Sequence, residues 1–198
     1  MKHLIIYAHP NQESLNEQFK QSIEKILKQQ EQEVIVRDLY SQKFDPVLSL
    51  EDMTGQRKGT VNELIKIEQE YIMWADIVTF IYPIWWTGMP AIMKGYIDRV
   101  FSYGFAYRYD QGIQKGLLAG KQAIILNTHG KSNEEYTSIG MDKALLLTSD
   151  KGIYTYCGFQ VKEHFFFDKA DRATPEIIET WLSTIRDVYT MKSFKSSL

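Results

Sequence analysis

The sequence predicts a doubly wound α/β fold, with a five-stranded parallel sheet and helices on both of its faces. Three observations predict it. Strand-like runs recur at 4–8, 33–39, 76–82, 122–127 and 160–167. Several are uninterrupted apolar stretches rather than alternating ones, as strands covered on both faces require. Between the runs lie helical spacings: Leu15, Phe19, Ile23, Ile26 and Leu27 share one face, and Ile177, Trp181, Ile185 and Val188 another. No linker, repeat or low-complexity stretch breaks the alternation, and alternating strands and helices close into a parallel sheet.

Composition sets the bounds. A chain of 198 residues, 44% apolar and 13% aromatic, holds enough for one core, so residues 1–198 read as a single domain. The end, 192–198, has no apolar period and reads as a loose tail. With 23 basic against 25 acidic residues and a net charge of -2, there is no basic stripe to neutralise a phosphate backbone, which excludes nucleic acid as a partner. The apolar run in "MKHLIIYAHP" is too brief for a signal segment or a bilayer span, so a cytoplasmic protein without membrane insertion is expected. A single cysteine, Cys157, excludes an intramolecular disulfide and a cysteine-rich metal site. No metal is expected, and Cys157 reads as a buried apolar side chain.

Taken in order, strand one runs into "HPNQESLNEQF". Ser14 is placed to cap the helix that follows, and Glu17 three residues on completes a capping-box pattern. The same helix start offers free N–H groups and a partial positive charge, which suit a phosphate. His9 at the strand end is open to a structural role or a ligand contact. Neither GxGxxG nor GxxxxGK[ST] occurs, so no dinucleotide fingerprint or P-loop is present. After strand three comes "YPIWWTGMP", in which Pro83 is expected to end the strand and Gly88 with Pro90 to lead tightly into a helix. Ile84, Trp85, Trp86 and Thr87 between them set backbone N–H groups beside wide aromatic faces, a combination suited to a planar, partly polar ring. Strand four ends in "NTHG". The last helix announces itself in "ATPEI", with Thr174 as cap and Pro175 in the first turn. Ligands of such sheets bind beyond the carboxyl ends of the strands, so function is expected in the loops after strands one, three and four.

These residues carry a family resemblance. "HP" with "SLN", the long block "YPIWWTGMPAIMKGYIDRVF", "FAYRY" at 105–109, and "NTHG" with Tyr136 together resemble the flavodoxin-like NAD(P)H:quinone oxidoreductases over most of the chain. The resemblance implies a flavin, FMN or FAD, with its phosphate end over His9, Ser14, Leu15 and Asn16. Its ring system would lie on Pro83, Ile84, Trp85 and Trp86 and against Asn127, Thr128, His129 and Gly130. It further implies ping-pong turnover, with NAD(P)H giving hydride to the flavin and a quinone or similar acceptor taking it. Whether NADH or NADPH is preferred stays open.

The sequence departs from the animal members of that family. They carry "TTGG" where this chain has Asn127, Thr128, His129 and Gly130, and a histidine six residues after the tyrosine, where this chain has Asp142. Tyr136 is kept. His129 is therefore expected to stand beside the flavin and, with Tyr136, to assist proton movement. The "FAYRY" tyrosines, Tyr107 and Tyr109, wall the acceptor pocket across a two-fold dimer in the family, so a homodimer with composite sites is expected, with Trp86 as a third substrate contact. A second reading, from relatives of the fold, is a flavin-bearing regulatory subunit of a membrane transport protein.

Overall fold

The computed structural model describes residues 1–190, so the tail expected at 192–198 lies outside the described residues. The elements run β1 (Lys2–Tyr7), α1 (Leu15–Gln29), β2 (Glu33–Asp38), α2 (Leu50–Lys58), α3 (Glu63–Trp74), β3 (Ile77–Pro83) and α4 (Ala91–Val100). They continue with β4 (Tyr107–Asp110), β5 (Ile113–Gly116), β6 (Gln122–Thr128), α5 (Asn133–Ser138), α6 (Met141–Leu146), a π-helix (Leu147–Thr155), β7 (Gln160–Phe167) and α7 (Pro175–Thr190). The sheet has the order β2-β1-β3-β6-β7, and every neighbouring pair in it is parallel.

The two faces follow from the period of two along each strand. In β1, Leu4 and Ile6 point to one side and join Val78, Phe80, Ala123 and Ile125, beneath Ile65 and Ile72 of α3 and Met93, Tyr96 and Val100 of α4. Ile5 and Tyr7 point to the other side with Ile77, Ile81, Ile124 and Leu126, where Phe19, Ile23 and Leu27 of α1 meet Ile185 and Tyr189 of α7. Each of these side chains leaves water almost completely, a gain of roughly 1.5–3 kcal/mol for each Val, Leu, Ile, Met or Phe against the unfolded chain. Cys157 is buried in the first of these layers.

Pro83 ends β3 as expected: it is the last residue of the strand and pairs with Thr128, where a proline loses no needed donor. One local expectation is corrected. The capping box at α1 is half made: Glu17 N–H donates to Ser14 Oγ, while the Glu17 carboxylate turns to Lys20 at 2.7 Å and Gln21 at 2.9 Å. The antiparallel hairpin of β4 and β5 and the π-helix are features for which the sequence reading had no expectation. The chain reverses its strand order between β1 and β3, and the crevice beyond their carboxyl ends is where such a sheet holds a ligand.

Candidate functional site

At that crevice lies a cleft of about 240 Å³. His9, Ser14, Leu15 and Asn16 come from the turn after β1; Pro83, Ile84 and Trp85 from the end of β3; Thr128, His129 and Gly130 from the end of β6. Ser14 caps α1 through its bond from Glu17 N–H and lies 3.3 Å from the Tyr7 hydroxyl. Asn16 is buried, donates from Nδ2 to Thr128 Oγ1 at 2.8 Å, and has its Oδ1 buried with no partner among the described residues. Of the first-turn N–H groups of α1, that of Glu17 is taken by Ser14, while those of Leu15 and Asn16, which line the cleft, have no helical carbonyl to take them. His9 accepts the Asn11 N–H on Nδ1 at 3.1 Å and sits 5.9 Å from the Trp85 ring. Burial lowers its pKa from 6.5.

The loop after β3 is a tight two-residue turn. Trp85 N–H donates to the Gly88 carbonyl at 3.0 Å and Gly88 N–H returns to Trp85 at 3.1 Å. Trp86 and Thr87 both adopt left-handed backbone, φ 50° and 56°, as the two central residues of a type I′ turn must. This corrects the expectation of four open donors: Ile84 N–H is taken by the Thr128 carbonyl and Trp85 N–H by the turn. The N–H groups of Trp86 and Thr87 have no partner among the described residues. Trp86 itself stands at the tip, 100% exposed, outside the lining of the cleft.

At the end of β6 the chain divides its groups. Thr128 faces the cleft. Asn127, one residue earlier, points away, donating to the Tyr82 carbonyl at 3.1 Å and facing His164 Nε2 at 2.7 Å through Oδ1. His129 is buried and stacks flat on Tyr136, centroids 4.6 Å apart and planes within 5°. Asn133, not foreseen from the sequence, fixes that ring: its Nδ2 donates to the Phe166 carbonyl at 3.3 Å, so its Oδ1 accepts from His129 Nε2–H at 3.2 Å. Burial pulls the His129 pKa below 6.5, against the opposing pulls of Asn133, the Asp168 carboxylate and the Lys131 backbone. Ala170 and Asp171 also line the cleft; they come from the segment after β7, where no motif marks them.

Tyr107 and Tyr109 are not brought to the cleft. They wall a separate cavity of about 790 Å³ with Tyr103 and Tyr156, in which the Tyr109 and Tyr156 hydroxyls are 3.0 Å apart. A third cavity, about 480 Å³, lies between the two; it shares Ile84 with the cleft, and Lys94 and Ile153 with the tyrosine cavity. Asn127 lines this middle cavity.

A parallel sheet of this order with a cleft at its switch point defines a class, and comparison with known proteins agrees. Residues 1–188 match the family described as having a flavodoxin-like fold, and the chain belongs to that family. It is 40% identical over 185 residues to an uncharacterized NAD(P)H oxidoreductase of Haemophilus influenzae, covering 89% of this chain and 92% of that one. It is 31% identical over 210 residues to NAD(P)H dehydrogenase [quinone] 1 of Rattus norvegicus, covering 94% of this chain and 77% of the relative. Among solved structures, NAD(P)H:quinone oxidoreductase from Methanothermobacter marburgensis superposes with a TM-score of 0.84 at 27% identity, over 96% of this chain and 97% of that one.

Proposed function

We propose that this chain is a cytoplasmic, single-domain, flavin-dependent NAD(P)H:quinone oxidoreductase that turns over by a ping-pong route. The oxidoreductase activity on NAD(P)H and quinones is supported by the names of its relatives, and those enzyme names give no support to a regulatory-subunit reading. The observation that carries the flavin is the buried, unpaired Oδ1 of Asn16 inside the cleft at the switch point. A bare carbonyl oxygen there costs about 1–3 kcal/mol unless a ligand donor meets it, and a ribityl hydroxyl is such a donor.

The rest of the cleft fits the same group. The α1 start takes the phosphate through free N–H groups and the helix dipole. Trp85 supplies a flat apolar wall beside the His9 ring. Both FMN and FAD are compatible with this set. When bound, flavin supplies a hydride store that accepts from NAD(P)H and gives to the quinone. The cleft residues would place it, with Ile84 backed by Tyr136 and a neutral imidazole held at His129.

Stopped-flow spectroscopy of the purified holoprotein tests the proposal. Flavin absorbance should bleach on mixing with NADH or NADPH before any acceptor is present, and return when a quinone is added. A protein that takes up neither FMN nor FAD, or whose flavin is not bleached by either nucleotide, overturns it.

A further inference from the structure

We infer that Ser149, Asp150 and His164 form a proton relay that opens into the middle cavity and gives the acceptor its proton. The inference rests on the proposed quinone reductase reading and adds the group that completes its second half.

The need comes from the balance of the reaction. A quinone that gains a hydride ion carries one negative charge on oxygen, and it leaves as the neutral hydroquinone only after taking one proton more. His129 is the wrong group to give it. Its Nε2–H is already donated to Asn133 Oδ1, and its Nδ1 is buried with no partner among the described residues, so the ring can take a proton and has none to spare.

His164 on β7 is arranged the other way. Asn127 Nδ2 donates to the Tyr82 carbonyl, so Asn127 Oδ1 is an acceptor, and the His164 Nε2 that faces it at 2.7 Å carries a proton. On the far side of the ring, His164 Nδ1 lies 2.8 Å from Asp150 Oδ1. A bare nitrogen lone pair and a carboxylate repel at that distance, so a second proton sits between them. The pair holds it with the His164 and Asp150 side chains only 4% and 14% exposed, and Phe166 stacks on the imidazole with centroids 4.2 Å apart.

The π-helix supplies the outlet. Wide turns of this kind are frequent at functional sites, and this one brings Ser149 Oγ to 2.9 Å from Asp150 Oδ1 and 2.8 Å from the Leu145 carbonyl. One carboxyl oxygen therefore touches both the imidazole and the hydroxyl. Ser149 lines the middle cavity, which meets the cofactor cleft at Ile84, so an acceptor beside the cleft can set an oxygen against the Ser149 hydroxyl. Replacing a buried ion pair by apolar packing is often neutral or stabilising. The place of this pair, next to a hydroxyl on a cavity wall, is explained by its proton rather than by its stability.

The step balances within these groups. The Ser149 O–H bond breaks as its proton passes to the quinone oxygen, Oγ takes a proton from Asp150 Oδ1, and His164 Nδ1 gives that proton up. A carboxylate then faces a bare Nδ1, and their repulsion draws a proton back from solvent on the more open Asp150 side. None of the three residues lines the tyrosine cavity.

Reoxidation of the purified holoprotein, its flavin reduced beforehand by dithionite, tests the relay without NAD(P)H. With a quinone as acceptor, Ser149→Ala and His164→Gln should each slow reoxidation by about tenfold or more, within the range of a positioned general acid. With ferricyanide, which takes electrons and no proton, both variants should keep the wild-type rate. Proton NMR of the oxidised holoprotein should show a far-downfield imidazole N–H signal in wild type and Ser149→Ala that is missing from His164→Gln. Should His164→Gln fail to fold, Ser149→Ala leaves the pair intact and carries the test alone. A quinone rate unchanged in Ser149→Ala, an equal loss with both acceptors, or no such signal in wild type overturns the relay. If the acceptor effects appear as expected while neither NADH nor NADPH bleaches the flavin, the nucleotide reading fails and the relay stands.

Discussion

His129 is held on three sides: Tyr136 lies flat against its ring, Asn133 Oδ1 accepts a hydrogen bond from its Nε2–H, and burial opposes a second proton. Because burial, the leading cause, sets its pKa below 6.5, the ring is neutral at pH 7 and gains charge only as the pH falls beneath that value. The sign for stability is the same, since the unfolded chain binds this proton first; the contribution is full above 6.5 and is lost as the pH falls through the folded value. If the neutral ring assists proton movement, kcat/KM should be level through neutral pH and decline on the acid side. His129→Gln should remove that acid limb and lower turnover by at least about tenfold, within the range of a positioned acid–base group, with a smaller loss in Tyr136→Phe. A pH–rate profile for His129→Ala that matches wild type in height and shape removes the histidine from the mechanism.

Among the elements, α4 is the one fitted most closely to its surroundings. Gly95 faces the Pro46 backbone so tightly that a Cβ would run into the Pro46 carbonyl oxygen and Cα. Arg99 one turn on holds the same segment, donating to the Asp45 carbonyl at 2.7 Å and to Asp52 at 2.9 Å. Alanine is the better helix former by about 1 kcal/mol, yet overpacking against backbone costs about 1–3 kcal/mol. Gly95→Ala should therefore lower the urea midpoint, and an unchanged or raised midpoint contradicts this contact. Elements of this kind also show how far the sequence reading reached. The inner strands β1, β3 and β6 were legible because strands buried on both faces are apolar nearly throughout, and α1 and α7 because each keeps a clear apolar stripe. The β4–β5 hairpin was not, since Tyr107 to Gly116 mixes charge with aromatics, and its turn rests on left-handed backbone at Gln111 as well as Gly112. In the site, residues 127–130 were read as one block. A strand sends neighbours to opposite sides, so with Thr128 in the cleft Asn127 had to leave it. Asp171 was illegible because only the folded chain brings the segment after β7 to the cleft, and Asn133 because its role lies in contacts to His129 and to the end of β7 that no motif marks.

At the scale of the whole molecule, one face remains uncovered by the described residues. Around the tyrosine cavity stand Leu48, Met53, Tyr103 and Tyr109, the last 52% exposed. Ile113 beside them on the hairpin is 67% exposed, and Leu50 at the start of α2 is 76% exposed. Large apolar side chains gathered on one face, rather than scattered, mark an interaction surface. A two-fold axis covers the same patch on both copies at once, without needing a second kind of partner. We therefore propose a homodimer that pairs through the segment 101–113, closing the pocket walls at Tyr107 and Tyr109. Light scattering should give twice the 23.1 kDa of one chain. Tyr109→Glu combined with Ile113→Lys should shift the population toward monomer, and Tyr107→Ala with Tyr109→Ala should raise the KM for quinone while flavin content stays largely intact. A wild-type protein that scatters as a fully active monomer, or a double alanine variant that loses flavin but keeps its acceptor affinity, would show that this face serves something other than a second copy of the chain.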